Sequence, residues 1–356
     1  MSLNLPYKNS PHFIERLWDA ACILSVLGIW PRYIEPNVLT CRNVLIPLEM
    51  LPRELSGMTL VHISDLHFSS YSSKRFLERA SERIRKLAPD CIVLTGDLLT
   101  YAELEDRTLA EEFLLSLSAP LGCFASLGNH DYSSYVSLAR DGTFCLMQDK
   151  IPTVLQGFWR LISSKKMAEN PEVQEPLAIH EAIQPLLAKT GWTLLHNETC
   201  QIGTTTHHIN LTGLGDLMCG NFRPMEAFRN CDPRVASLVL SHNPDTFALL
   251  NAWPGDLILS GHTHGGQINL PFIWKRITPT RDKTLKSGLV ARSKRFLYIN
   301  RGLGAPFPFR LFAPPEITKI TLVSSELARI QMPLFEFEPV KKPRFATYKS
   351  SSRTSL

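Results

Sequence analysis

None of the eight cysteines stands in a CxxC pair, no apolar run at the N-terminus is long enough to cross a bilayer, and neither sign of charge dominates. Each absence excludes something. The cysteines (22, 41, 91, 123, 145, 200, 219 and 231) are scattered through 356 residues. This is not the disulfide framework of a small secreted domain, and it reads as reduced, packed thiols in a cytosolic compartment. The apolar run Ala20–Trp30 (AACILSVLGIW) has eleven residues, well short of the roughly 18 that a spanning helix needs. No small-residue cleavage site, twin-arginine pair or usable lipoprotein cysteine accompanies it, since Asp19 precedes Cys22. The expectation is a chain that stays in the cytosol. With 38 basic and 33 acidic residues the net charge is +5, too mild to demand a nucleic-acid partner, and none is expected. No internal repeat is present.

What is there is the composition of a globular protein, 44% hydrophobic and 20% charged, of one large or two ordinary domains. Trp18, Trp30 and Tyr33 flank the N-terminal run. Aromatics so placed favour a membrane–water boundary. The run is therefore either an amphipathic helix lying on a membrane or a helix packed on the domain's own surface. From Met58 onward short apolar stretches suited to buried strands alternate with helical spacing. The strand-like stretches are 59–64, 91–95, 123–127, 237–240 and 256–259. Phe76, Leu77, Ala80, Ile84 and Leu87, then Leu109, Phe113, Leu114 and Leu117, repeat with helical period. This rhythm predicts an α/β core.

Three segments frame that core. Residues 1–57 form an N-terminal amphipathic segment, 58–330 the main domain, and 331–356 a polar basic tail carrying Lys341, Lys342, Arg344, Lys349 and Arg353. Inside the domain, about 136–190 breaks the rhythm as an insert. It holds IPTVLQGFWRLI (151–162), with Phe158 and Trp159 close to Lys165 and Lys166. It is either a core helix pair or a cap over the site, the aromatic–cation pattern favouring the cap.

The chemistry lies where the strands end. The first runs into Asp65 and His67, the second into Asp97, the third into Asn129, His130 and Asp131, the fourth into His242, and the fifth into His262 and His264. In open α/β sheets ligands sit beyond the carboxyl ends of strands. Carboxylates mixed with imidazoles suit Mn²⁺, Fe or Zn²⁺ better than Ca²⁺. The donors outnumber the needs of one ion, as in a site where two ions share a carboxylate.

In order, the blocks DLH, GD, GNHD, SHNPD and GHTHGG resemble the full signature of the calcineurin-like metallophosphoesterases, over about residues 58–325. The resemblance implies a four-layer αββα sandwich of two mixed sheets. It implies that Asp65, His67, Asp97 and His264 hold one divalent ion, and that Asp97, Asn129, His242 and His262 hold the second, Mn²⁺ being expected. It gives His130 the substrate's phosphoryl group and Asp131 the task of orienting His130. YINRGLG (298–304) and RLFAPPEI (310–317) look like the membrane-associated, YkuE-like branch. Within it the chain resembles the diphosphatases that cut UDP-2,3-diacylglucosamine into UMP and 2,3-diacylglucosamine 1-phosphate for lipid A. That resemblance implies a UDP-linked glycolipid substrate and a peripheral place on the cytoplasmic face of the inner membrane. A general phosphodiesterase or nuclease is the other reading. Arg301 and Arg310 offer either bidentate phosphate contacts or structural ion pairs, and Asp216 reads as structural.

Overall fold

A computed structural model describes residues 11–139, 141–147, 171–204, 206–271 and 274–326. The apolar half of the expected insert (151–162, with Phe158, Trp159, Lys165 and Lys166) and the basic tail 331–356 lie outside these.

In chain order the main elements are α1 (Pro11–Leu24), β1 (Thr40–Leu48), β2 (Thr59–Ile63), α2 (Lys74–Leu87), β3 (Cys91–Thr95), α3 (Arg107–Leu115) and β4 (Cys123–Ser126). The hairpin β5 (Val136–Leu138) and β6 (Phe144–Leu146) follows, then α4 (Ile183–Thr190), β7 (Thr193–Leu194), β8 (Glu198–Gly203) and β9 (His208–Gly213). The chain closes with β10 (Ser237–Leu240), β11 (Leu257–Ser260), β12 (Gly288–Arg292), β13 (Arg295–Ile299) and β14 (Glu316–Ser324). Two six-stranded mixed sheets result, ordered β1-β14-β2-β3-β4-β7 and β12-β13-β11-β10-β9-β8.

Side-chain alternation explains the layering, because successive residues of a strand face opposite ways. In β3, Cys91 and Val93 join the core between the sheets, while Ile92 and Leu94 face the helices. In β11, Leu257 and Leu259 face inward and Ile258 faces the outer layer. Strands covered on both faces read as unbroken apolar runs. Helices α2, α3 and α4 cover the first sheet through Phe76, Ile84, Phe113 and Leu186. Their starts are set locally: Ser73 and Asp106 accept backbone N–H groups at the first turns of α2 and α3, satisfying donors a helix end leaves unpaired.

Two boundaries differ from expectation. The sandwich starts before residue 58, because β1 pairs in parallel with β14 over nine registered positions, from Thr40 with Glu316 to Leu48 with Ser324. Its first half, TCRN, is polar and exposed or half-exposed, as suits an edge strand, and only Ile46 and Leu48 of the apolar half are buried. Helix α4, placed within the insert, buries Ile183, Leu186 and Leu187 in the core, so it belongs to the outer layer of the domain. Ahead of α4 the described part of the insert is the β5–β6 hairpin and the stretch 171–182, bridged to it at Cys145 and Glu172.

Ahead of β1, α1 continues into a wider π-type helix over Ser25–Ile34. Trp18, Ile23, Leu24, Val26, Ile29 and Tyr33 are exposed along it. No helix among the described residues is long and apolar enough to cross a membrane.

Candidate metal centre

The loops leaving β2, β3, β4, β10 and β11 converge at one edge of the sandwich and bring the predicted residues together. Asp65, His67, Asp97 and His264 place one donor atom each within 4.8 Å of one another, and so do Asp97, His242 and His262. Asp97 is common to both groups. His242 Nε2 lies 3.1 Å from Asp97 Oδ2 and His67 Nε2 3.5 Å from it. His264 Nε2 lies 3.5 Å from Asp65 Oδ1. Loop joins loop through the main chain as well: Asp65 N–H donates to Gly96 O, and His262 N–H to the Asp65 carboxylate, each at 3.0 Å.

The backbone is bent to achieve this. Asp65, His67, Asp97, His262 and His264 all have φ between 46° and 69°. This left-handed region costs a non-glycine residue about 1–3 kcal/mol and recurs at functional sites. Gly128 and Gly261 allow the close approach. A Cβ at Gly128 would collide with the Asp97 carboxylate and the His242 ring, and one at Gly261 with Ser64 and Asp65.

Outer hydrogen bonds set the imidazole tautomers. His67 Nδ1 donates to Leu99 O at 3.0 Å, His242 Nδ1 to Thr95 O at 2.7 Å, and His262 Nε2 to Pro279 O at 2.9 Å. Each neutral ring therefore turns a bare nitrogen inward, the arrangement that prepares histidine for a metal. Ring nitrogens crowd together: His67 Nε2 and His264 Nε2 are 3.3 Å apart, His262 Nδ1 and His242 Nε2 3.2 Å. Asn129 gives its Nδ2 to Val136 O at 2.8 Å, and its buried Oδ1 has no hydrogen-bond partner. Cations between these donors would take up the crowded ring nitrogens and the orphan oxygen, so the residues fit a dinuclear metal site.

The electrostatics agree. Burial pushes Asp65 up to about 7 and holds His67 near 4 and His262 near 3. Burial also opposes charge on His242, but the Asp97 and Asp65 carboxylates outweigh it and raise the ring to about 10. The carboxylates require positive charge at this spot, and a proton on His242 is one way to supply it.

His130 sits beside this cluster and outside both donor groups. Its Nδ1 accepts the Tyr101 N–H at 2.8 Å, and the Tyr135 ring lies against it with centroids 4.2 Å apart. Asp131 does not orient it. The Asp131 carboxylate accepts Leu99 N–H and Gly128 N–H at 2.9 and 3.0 Å, bracing the Asp97 and Asn129 loops. A backbone donor leaves no mark in a residue pattern, so Tyr101 was not foreseeable from sequence. Asp216 accepts Met218 N–H and Cys219 N–H, holding its own turn.

The two arginines separate. Arg310 is fully buried and gives its guanidinium to the carbonyls of Arg301, Gly302, Gly304 and Ala313. It is a structural clamp, with its donors spent on main chain rather than phosphate. Arg301 packs beside Gly265, partly exposed, with Nε 3.5 Å from Glu316.

Residues 58–266 match the calcineurin-like phosphoesterase family. The UDP-2,3-diacylglucosamine pyrophosphatase LpxG of Chlamydia muridarum (strain MoPn / Nigg) is 36% identical over 301 residues, covering 81% of this chain and 91% of that protein. The uncharacterized metallophosphoesterase YkuE of Bacillus subtilis (strain 168) is 30% identical, over 83% and 90%. The phosphodiesterase YaeI of Escherichia coli (strain K12) is 29% identical, over 74% and 82%.

Proposed function

The chain belongs to the calcineurin-like phosphoesterase family, and on that premise we propose that it hydrolyses the diphosphate of UDP-2,3-diacylglucosamine to UMP and 2,3-diacylglucosamine 1-phosphate. The observation that carries this reading is the 36% identity to the Chlamydia pyrophosphatase across 91% of that protein's length. Asp65, His67, Asp97 and His264 hold one ion, and Asp97, Asn129, His242 and His262 the other, with Mn²⁺ the favoured metal. Bound there, two divalent ions supply Lewis acidity that lowers the pKa of water and draws charge from the phosphoryl oxygens.

The protein's own groups do the rest. With Nδ1 accepting from Tyr101, His130 keeps its proton on Nε2 and gives a hydrogen bond from it to the phosphoryl oxygen. Tyr135 holds the ring plane. Arg301 receives substrate phosphate at the rim. The exposed apolar face of residues 18–33 docks on the cytoplasmic surface of the membrane that carries the lipid, a use suited to a helix lying in the interface.

A general phosphodiesterase is the second reading, favoured by the likeness to the E. coli phosphodiesterase. The test is UMP release from UDP-2,3-diacylglucosamine by metal-stripped protein resupplied with Mn²⁺, beside His130→Ala and an aryl phosphodiester. Metal-dependent UMP release that needs His130 supports the pyrophosphatase. Turnover of the diester alone refutes it and leaves the phosphodiesterase.

A further inference from the structure

Past the candidate ligand His264 the chain leaves the metal centre through a tight turn on Gly265 and Gly266, both at positive φ, 64° and 87°. Two basic side chains lie on that turn. A Cβ at Gly265 would stand 3.0 Å from Arg301 Cγ, and one at Gly266 3.5 Å from Lys286 Cδ. Both residues also reach back to the loops of the centre. Gly302, next to Arg301, is so near Asp65 that a Cβ there would stand 2.6 Å from the Asp65 Cβ. Lys286 O accepts the hydroxyl of Thr263, which lies between His262 and His264, at 2.5 Å. The two cations are thus tied to the same loops that carry the metal donors.

Each is held in place with donors to spare. Lys286 Nζ donates to Asn269 Oδ1 at 2.8 Å and lies 4.4 Å from the centre of the Trp274 ring. That spends one of its three donors, and among the described residues no carboxylate pairs with it. Arg301 leans on Glu316 through Nε at 3.5 Å, a carboxylate shared with Arg42 and Tyr298. Among the described residues its Nη1 and Nη2 meet no acceptor, which leaves donors suited to phosphate. Burial first, and the Arg301 charge second, press Lys286 toward its neutral form, so the two cations feel one another across the turn. An anion between them removes that repulsion.

We infer that Lys286 and Arg301 form a second anion site beside the metal centre, for the phosphate of the diphosphate that water does not attack. Trp274 and Asn269 are positioning residues. They order the ammonium before substrate arrives, so its side-chain entropy is not lost on binding. A phosphomonoester or a simple diester has no second phosphate to place there, and the pair therefore selects diphosphates. This rests on the proposed diphosphate substrate, and the experiment below separates the two.

The Mn²⁺-loaded full chain is titrated calorimetrically with UMP and with UDP. One charge-assisted contact is worth about tenfold or more in affinity, so UDP binds at least about tenfold tighter. Lys286→Gln cuts that preference about tenfold and leaves UMP affinity and Mn²⁺ content at the parent values. Lys286→Arg, which keeps the charge, preserves most of it. Lys294→Gln, which removes a lysine paired with Glu49, leaves it unchanged. Equal affinities in the parent chain, an unchanged preference in folded Lys286→Gln, or an equal loss in Lys294→Gln overturns the inference. UMP release from UDP-2,3-diacylglucosamine with undiminished kcat/KM in Lys286→Gln sinks the second anion site and keeps the substrate. A Lys286-dependent preference for UDP without UMP release keeps the site and sinks the UDP-glycolipid.

Discussion

The Tyr101 amide donates to His130 Nδ1 at 2.8 Å, so a peptide group rather than a carboxylate fixes that imidazole. Tyr101 and Ala102 both have left-handed φ, 52° and 57°, which is how the chain turns an N–H toward the ring just after the Asp97 loop. A neutral donor fixes the tautomer without stabilising an imidazolium, and burial presses His130 toward the neutral form.

His130→Ala is expected to lower kcat by about 10²–10³-fold, the range for one hydrogen-bond donor to developing phosphoryl charge. Metal content by plasma mass spectrometry stays at the parent value. Loss of metal along with activity would make His130 a ligand.

Asp97→Ala empties both halves of the site, because its carboxylate serves both donor groups. Asn129→Ala weakens only the second ion. Equilibrium dialysis against Mn²⁺ distinguishes these as loss of both ions and of one.

Chelation lowers the thermal midpoint, and the loss deepens in alkali. In the metal-free protein His242 titrates near 10 against 6.5 for an ordinary imidazole. A raised pKa means the folded state holds the proton longer. That stability is complete below about pH 6.5 and drains as pH rises through about 10. Calorimetric scans from pH 7 to 10 with chelator should show a falling midpoint, and a shallower fall with Mn²⁺. Parallel curves would exclude this coupling.

Arg301→Ala and Arg310→Ala part company. Arg310→Ala strips buried carbonyls of their donor and costs about 3–5 kcal/mol by urea unfolding. Arg301→Ala leaves the midpoint nearly unchanged and raises KM about tenfold, the worth of one charge-assisted phosphate contact.

Trp18→Glu with Ile23→Glu moves two exposed apolar side chains to charge and abolishes co-flotation with anionic vesicles, while UMP release from detergent-dispersed substrate persists. Undiminished flotation would place the membrane contact elsewhere.

Much of this was legible in the sequence because the relevant forces are local or periodic. The apolar run of β3 and the helical spacing of Phe76, Ala80 and Ile84 each report one packed face, and the structure has both elements there. The donors Asp65, His67, Asp97, His242, His262 and His264 announce themselves because few other constraints put such residues straight after buried strands. Three things stayed hidden. Left-handed φ at five candidate ligands runs against their own propensities and is imposed by the closing of the fold. The carbonyls of Thr95, Leu99 and Pro279 that set the tautomers belong to peptide groups every residue has. The Arg310 clamp depends on a loop conformation that no spacing encodes, so an arginine for carbonyls and an arginine for phosphate look alike in one dimension.

Strand β14 lies between β1 and β2, parallel to the first and antiparallel to the second. Just ahead of it, Leu303 N–H and Gly304 N–H bond Ser64 O and Asp65 O, securing the loop that carries Asp65 and His67. On the ribosome, β2 and its loop emerge long before these partners. At about 5–20 residues per second the interval is on the order of tens of seconds. Throughout it the nascent chain has an open sheet edge, and the loop carrying Asp65 and His67 lacks these two bonds. Completion of the sheet and the fastening of that loop thus wait on one segment synthesised about 240 residues later.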